Sequence, residues 1–238
     1  MLDQLLAIGA VATGLFAIGM IIGLTDKKHF RIGWLAVAVI LMLVNDTLVS
    51  NFFGAFPVLH DGNWNWQGKA LALGGSLLIA ATAWFGWRRT GITFNQGAAP
   101  RCATWLVIAG AVLAFVVVGL VFPNEPVNAN TLAFQATMPG LEEEVFYRGI
   151  LLLALNEAFT KRWRVAGVSV GWAALLTTIL FGCAHAVSYS ESGFTFDLFP
   201  FLVTALPALV LVWLRERTGS VVWPIVVHNI ANTVPLLI

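Results

Sequence analysis

The chain has 238 residues, of which 59% are hydrophobic and 11% are charged, and its formal net charge is +1. Its mean hydropathy is +0.85, and long apolar stretches recur along the whole sequence. This composition excludes disordered, nucleic-acid-binding and secreted disulfide-rich proteins, and it predicts a polytopic membrane protein. The two cysteines, Cys102 and Cys183, have no ligand-like spacing, so we expect neither a disulfide nor a zinc site from them.

Apolar runs of about 20 residues, the length of a bilayer crossing, predict the fold. We count eight, and we expect all of them to be helical because lipid cannot satisfy an open strand edge. The predicted spans are 5–24, 32–49, 70–87, 104–122, 131–159, 168–186, 198–214 and 221–238. The sequence therefore predicts an all-α membrane bundle of about eight transmembrane helices, with residues 1–238 forming a single integral membrane domain.

The fifth run is longer than a single crossing needs, and Pro139 and Gly140 interrupt it. Proline removes a backbone donor and clashes with the preceding turn, so we expect the helix to restart near Leu141, inside the membrane. The motifs described below lie in a core of about residues 131–238, whereas the N-terminal spans, residues 1–122, carry none that we can match.

The placement of basic residues predicts one orientation. The loops after the odd-numbered spans contain eleven of the 13 lysines and arginines, and the alternate loops contain one, Lys69. Because basic loops stay in the cytoplasm, we expect the odd-numbered loops to be cytoplasmic and both termini to lie outside. The eleven residues are Lys27, Lys28, Arg31, Arg88, Arg89, Arg101, Lys161, Arg162, Arg164, Arg215 and Arg217.

Ionisable side chains within a span cost at least about 2–3 kcal/mol each on insertion and therefore mark function by default. Three consecutive acids, Glu142, Glu143 and Glu144, precede Arg148 and an apolar run. Glu144 and Arg148 are four residues apart, on one helical face, in the favourable acid-first order. We therefore expect Glu144 to be a structural partner of Arg148 and Glu143 to be free for chemistry. A solvated helix start is the alternative interpretation of the three acids.

Two histidines also lie in apolar helices. His185 ends the sixth span, and His228 lies in the eighth, one turn before Asn232 on the same face. A carboxylate, two imidazoles and an amide that converge in a bundle can activate a water and stabilise an oxyanion. Taken singly, these side chains are also compatible with hydrogen bonding between helices. Asn45 and Asp46 in the second span carry no motif, and we interpret them as packing residues or a minor polar cavity.

These residues resemble the motifs of the CPBP family, which comprises the CAAX prenyl endopeptidases and bacterial relatives linked to bacteriocin processing and immunity. All three family motifs occur in order and with the family's internal spacing. The matching residues are Glu143, Glu144, Arg148, Phe181, His185, His228 and Asn232.

The resemblance implies a glutamate-dependent intramembrane endopeptidase. By this resemblance, Glu143 would activate the water, His185 would be its partner, and His228 and Asn232 would stabilise the oxyanion. The supporting residues would be Glu144 and Arg148. The resemblance also implies that the site is reached from the cytoplasm. The predicted orientation, however, places His185 at the outer end of its span.

We expect no cofactor. One glutamate and two histidines could bind zinc, so a divalent metal is the alternative. However, the sequence has no H-E-x-x-H motif, and an asparagine suits an oxyanion better than zinc.

The expected partners are the lipid bilayer and a membrane-associated peptide or protein substrate, with or without a prenyl group, and no nucleic acid. The expected location is a prokaryotic cell membrane. Two alternative functions remain open: a catalytically silent immunity or scaffold protein of the same fold, and a proton-coupled transporter. Against the transporter, we find no internal repeat with matched broken helices.

Overall fold

The computed structural model describes residues 2–55, 64–97, 101–122 and 124–238, which are mainly helical. The helices are α1 (Leu2–Thr25), α2 (Ile32–Val49), α3 (Trp66–Ala80), α4 (Trp87–Thr90), α5 (Arg101–Val121), α6 (Ala129–Gln135), a π-helix (Gly140–Leu151), α7 (Leu152–Ala158), α8 (Trp172–Ala186), α9 (Leu198–Thr218) and α10 (Val222–Thr233). Short 3-10 turns lie at Lys27–His29 and Val234–Leu236. The strands are β1 (Arg162–Val165), β2 (Val168–Gly171), β3 (Val187–Ser190) and β4 (Gly193–Phe196).

Four helices of the described part of the chain are long and apolar enough to cross a membrane. They coincide with the first, second, fourth and seventh predicted spans, and α8 is a shorter apolar helix. The prediction of a helical membrane protein is therefore confirmed, while the number of eight spans stays a prediction. The four helices cover Leu2–Thr25, Ile32–Val49, Cys102–Val121 and Leu198–Thr218.

Two antiparallel hairpins interrupt the predicted all-helical pattern. Strands β1 and β2 pair with Val165 opposite Val168, so the predicted sixth span begins as a strand and α8 starts only at Trp172. Ala166 and Gly167 connect the strands, both with positive φ, as a two-residue hairpin turn requires. Strands β3 and β4 form a second hairpin directly after α8. Each hairpin pairs its own backbone groups within a connection, so neither needs to cross the bilayer.

The third and eighth predicted spans are also shorter than expected. Helix α3 ends at Ala80, and the chain turns before the four-residue helix α4. Helix α10 has 12 residues and ends in the 3-10 turn that contains Pro235. Hydropathy detects these segments but does not locate their turns.

The fifth predicted span breaks where the sequence indicates. Helix α6 ends at Gln135, and the π-helix begins at Gly140, one residue before the expected restart. Asn229 of α10 bridges the break: its Oδ1 accepts from the Gly140 N–H at 2.9 Å, and its Nδ2 donates to the Thr137 carbonyl at 3.3 Å. The side-chain amide thus gives the Gly140 N–H an acceptor and adds a second donor to the Thr137 carbonyl, which also accepts from the Leu141 N–H.

The π-helix is the central element of the bundle. Ten of its 12 residues are buried, and it packs against α2, α3, α8, α9 and α10. The largest buried cluster continues from it, combining Leu15 of α1, Leu35 of α2, Ile150 of the π-helix and Leu155 of α7. A π-helix has wider i→i+5 turns than an α-helix and is rare outside functional sites. The three consecutive acids lie on this element.

We predict that Gly140→Ala destabilises the fold. An added Cβ would collide with Asn229 Oδ1 and would lie 2.8 Å from the Ile225 carbonyl oxygen, so α10 has to move. Overpacking of this kind costs about 1–3 kcal/mol. We expect a lower thermal unfolding midpoint for the purified, detergent-solubilised variant.

The matched control is Gly110→Ala in α5, where an added Cβ meets no atom within 4 Å. It should leave the midpoint unchanged or raise it, because alanine is the better helix former. Equal midpoints for the two variants would contradict this account of the break.

Candidate functional site

A buried ionic network lies on the central helix. Arg148 Nη1 donates to Glu144 Oε1 at 3.1 Å, and neither side chain is exposed. His228 Nδ1 donates to the same oxygen at 2.7 Å. The predicted pairing of Glu144 with Arg148 is therefore present in the structure, and His228 is the third member of this network.

The Arg148 guanidinium also lies over an aromatic ring. Its Cζ is 4.4 Å from the centroid of Phe181, within the range of a cation–π contact. Among the described residues, Arg148 Nε and Nη2 have no hydrogen-bond partner. The ring face therefore supplies the remaining contact of this buried cation. This places Phe181, the first residue of the second motif, in direct contact with the first motif.

Lys69 joins the other two acids. Its Nζ is 2.5 Å from Glu143 Oε1 and 2.7 Å from Glu142 Oε2, and Asn45 Nδ2 donates to Glu142 Oε1 at 3.1 Å. The exposed fraction of the Lys69 and Glu143 side chains is 14%, and that of Glu142 is 1%. The ammonium thus offsets two adjacent carboxylates in the interior of the bundle.

Two of these placements differ from the sequence analysis. Lys69 was expected in a loop, but it is the fourth residue of α3 and faces the acids. Glu143, expected to be free, is ion-paired. The first of the three acids, Glu142, takes a buried position with partners of its own, and Asn45 belongs to this site. One sequence signal indicates Lys69: it is the one basic residue in the predicted loops that follow the even-numbered spans.

His185 lies at the end of α8 and is exposed. Its Nδ1 donates to the Phe181 carbonyl oxygen, one helical turn earlier, at 2.8 Å. A carbonyl oxygen can only accept, so the proton sits on Nδ1 and the neutral ring keeps a lone pair on Nε2. That nitrogen is able to accept a proton or to orient a water.

Two cavities meet at this site. A polar cavity of about 380 Å³ is lined by residues of α1, α2, α3, the π-helix and α8. A larger, mainly apolar cavity of about 850 Å³ lies among α5, α9 and α10. Lys69, Glu143 and His185 line both cavities, so they form the wall between them.

The structure brings all four predicted catalytic residues to the larger cavity. Glu143, His185, His228 and Asn232 line it together, and His228 Nε2 is 3.7 Å from Glu143 Oε2. The supporting pair lies directly behind His228. The tertiary fold thus juxtaposes residues that are up to 89 positions apart in the sequence. Their catalytic roles stay predictions.

The sequence predicts a metal-free site, with zinc as the alternative. Within the described ranges, no group of three or more histidine, cysteine, aspartate or glutamate side chains is arranged to hold a metal ion. Both the metal-free prediction and its zinc alternative stay open.

The comparisons with known proteins give a match to the motif-bearing region. Searches of curated proteins and of solved structures give no match. Residues 126–234 match the family model of the Rce1-like type II CAAX prenyl endopeptidases. The matched region contains the π-helix, α8 and α10, and therefore every motif residue named above. This match bears out the resemblance predicted from the motifs and supports a CPBP family intramembrane protease over residues 126–234.

Proposed function

We propose that this protein is an intramembrane endopeptidase that hydrolyses a peptide bond with a water activated by Glu143. The family match supports a CAAX-type intramembrane protease. The observation that carries the mechanism is the position of Glu143 and His185 in the wall between the polar and the apolar cavity. The polar cavity can supply water, and the apolar cavity can hold a hydrophobic substrate. The water and the substrate then react at the wall between the two cavities.

The proposed base is held at one oxygen and faces His228 with the other. Lys69 contacts Glu143 Oε1, and His228 Nε2 lies 3.7 Å from Oε2. A water held by Glu143 and by His185 Nε2 would lose a proton to the carboxylate as its oxygen attacks the scissile carbonyl carbon. The protonated carboxylate would then donate that proton to the leaving amine as the C–N bond breaks.

The proposed oxyanion site lies on α10. His228 and Asn232 are one helical turn apart and line the same cavity as Glu143. Because Glu144 accepts from His228 Nδ1, the imidazole ring is fixed with Nε2 towards the cavity, and Nε2 can donate to an oxyanion when both ring nitrogens carry a proton. Donors held in place before the reaction stabilise a developing charge without reorganisation. Glu144 and Arg148 therefore act as positioning residues for His228.

The apolar cavity favours a membrane-associated substrate. Its volume is within the range of small-molecule and peptide pockets, and Phe134, Leu206, Pro207 and Val210 are among its lining residues. It can accept an apolar side chain or a lipid group beside the scissile bond. We therefore infer a membrane-associated peptide or protein substrate, prenylated or unmodified. We also propose that Glu143 activates the water without a metal.

We predict that Glu143→Gln removes cleavage of a peptide library that contains prenylated and unmodified members. Loss of a general base lowers the rate by about 10²–10⁴-fold. The assay uses purified, detergent-solubilised protein, and an unchanged thermal midpoint shows that the variant is folded. Glu191→Gln, in the exposed turn between β3 and β4, is the matched control and should cleave as the wild type does.

Cleavage that survives in the folded Glu143→Gln variant would contradict the assignment of the base and point to Glu142 or Glu144. Failure of the wild-type protein to cleave any member would contradict the endopeptidase proposal. That result would favour the silent immunity or scaffold protein.

We also predict that Lys69→Met destabilises the protein through charge imbalance. The substitution leaves the Glu142 and Glu143 carboxylates adjacent and buried without a cation. Removing one partner of a buried ion pair costs about 3–5 kcal/mol of stability. The thermal midpoint of the purified variant should fall by several degrees.

The double variant Lys69→Met/Glu142→Gln is the matched comparison. It removes one carboxylate together with the ammonium and should regain a large part of the lost stability, because the two sites are coupled. A double variant that is less stable than Lys69→Met would rule out this account of Lys69.

A further inference from the structure

The two ends of the bundle differ in charge. Ion pairs gather the basic connections at one end: Lys161 pairs with Asp26 at 3.0 Å, and Arg31 and Arg89 both pair with Glu157, at 2.9 and 2.7 Å. These contacts join the α1–α2 connection, helix α4, the end of α7 and the residue before β1. Arg31, Arg89 and Lys161, which belong to three different predicted loops, therefore lie at one end of the bundle.

The site lies towards the opposite end. The polar cavity is lined by the first half of α1, from Gln4 to Val11, whereas the basic connection follows the last residue of this helix, Thr25. A helix of 24 residues is about 36 Å long, which exceeds the hydrocarbon thickness of a bilayer. The cavity thus lies in the half of the bundle that faces away from the basic surface.

Three other helices agree with this placement. Lys69 is in the first turn of α3, Asn45 is near the end of α2, and His185 is the second-last residue of α8. Ser50, just after α2, and Val187, just after α8, complete the rim of the cavity. Lys69 and the buried Arg148 pair with carboxylates inside the site, so neither adds to a basic surface at this end.

Basic surfaces of membrane proteins remain in the cytoplasm. We propose that the polar cavity opens on the non-cytoplasmic side, so that water and substrate reach Glu143 from outside the cytoplasm. The substrate class, which rests on the proposed function, is then a peptide or lipid-anchored segment presented at the outer leaflet. This inference opposes the cytoplasmic access that the family resemblance implied.

Cysteine labelling of the full chain in intact cells tests the orientation. In a Cys102→Ser/Cys183→Ser background, Ser192→Cys places a thiol in the exposed turn between β3 and β4, at the site end. Ser169→Cys places one on the exposed face of β2, at the basic end. A membrane-impermeant maleimide should label the first variant in intact cells and the second only after permeabilisation. The reverse pattern, or equal labelling of both in intact cells, would overturn the proposal.

The native Cys183 tests the opening of the cavity itself, because it lines the polar cavity beside His185. In a Cys102→Ser background, it should react with the same reagent from outside. Reaction only after permeabilisation, or no reaction at all, would overturn the outward opening. These results do not depend on cleavage, so they remain valid if the endopeptidase proposal fails.

A vesicle assay then addresses the substrate. Peptides added to right-side-out vesicles should be cleaved, and peptides added to inverted vesicles should be spared. Cleavage confined to inverted vesicles would overturn outward access, whereas outward labelling without any cleavage would contradict the proposed function alone.

Discussion

Charges in the interior of a membrane bundle have to be paired, and this constraint organises the whole site. Three consecutive glutamates share one element, yet they divide between two sets of partners: Glu142 and Glu143 meet Lys69, and Glu144 meets Arg148 and His228. An unpaired buried charge costs several kcal/mol, so no member can be lost without a response from its partners. The site is therefore a coupled network.

The wide π-helix gives this network its geometry. It begins at a break held by Asn229, is buried over most of its length, and carries all three acids. Such helices are rare and concentrate at functional sites, where a local departure from α-geometry redirects side chains. The same region of α10 supplies Asn229, which hydrogen-bonds at the break, and carries His228 and Asn232. One helix thus positions both the start of the acidic segment and its proposed catalytic partners.

The proposed hydrolysis takes place where the ionic network meets the two cavities. A hydrolase in a membrane needs water at one bond and must exclude it elsewhere. Glu143 and His185 lie between a polar and an apolar cavity. In the proposed reaction, the polar cavity would supply water and the apolar cavity would hold an apolar substrate. Lys69 reaches this wall from α3, and Asn45 supports it from α2. The N-terminal helices therefore complete the site, although they lie outside the region that matches the family.

The sequence alone determined the class of the protein, the break at Pro139 and Gly140, and the three motifs, because hydropathy, proline chemistry and fixed spacing are local properties. Only the tertiary structure decided that Lys69 joins Glu142 and Glu143, since no spacing rule relates positions more than 70 residues apart. It also decided where the helices end, because turns and hairpins inside apolar runs leave hydropathy unchanged. Pairing of buried charges depends on which helices become neighbours, and this information exists only after folding.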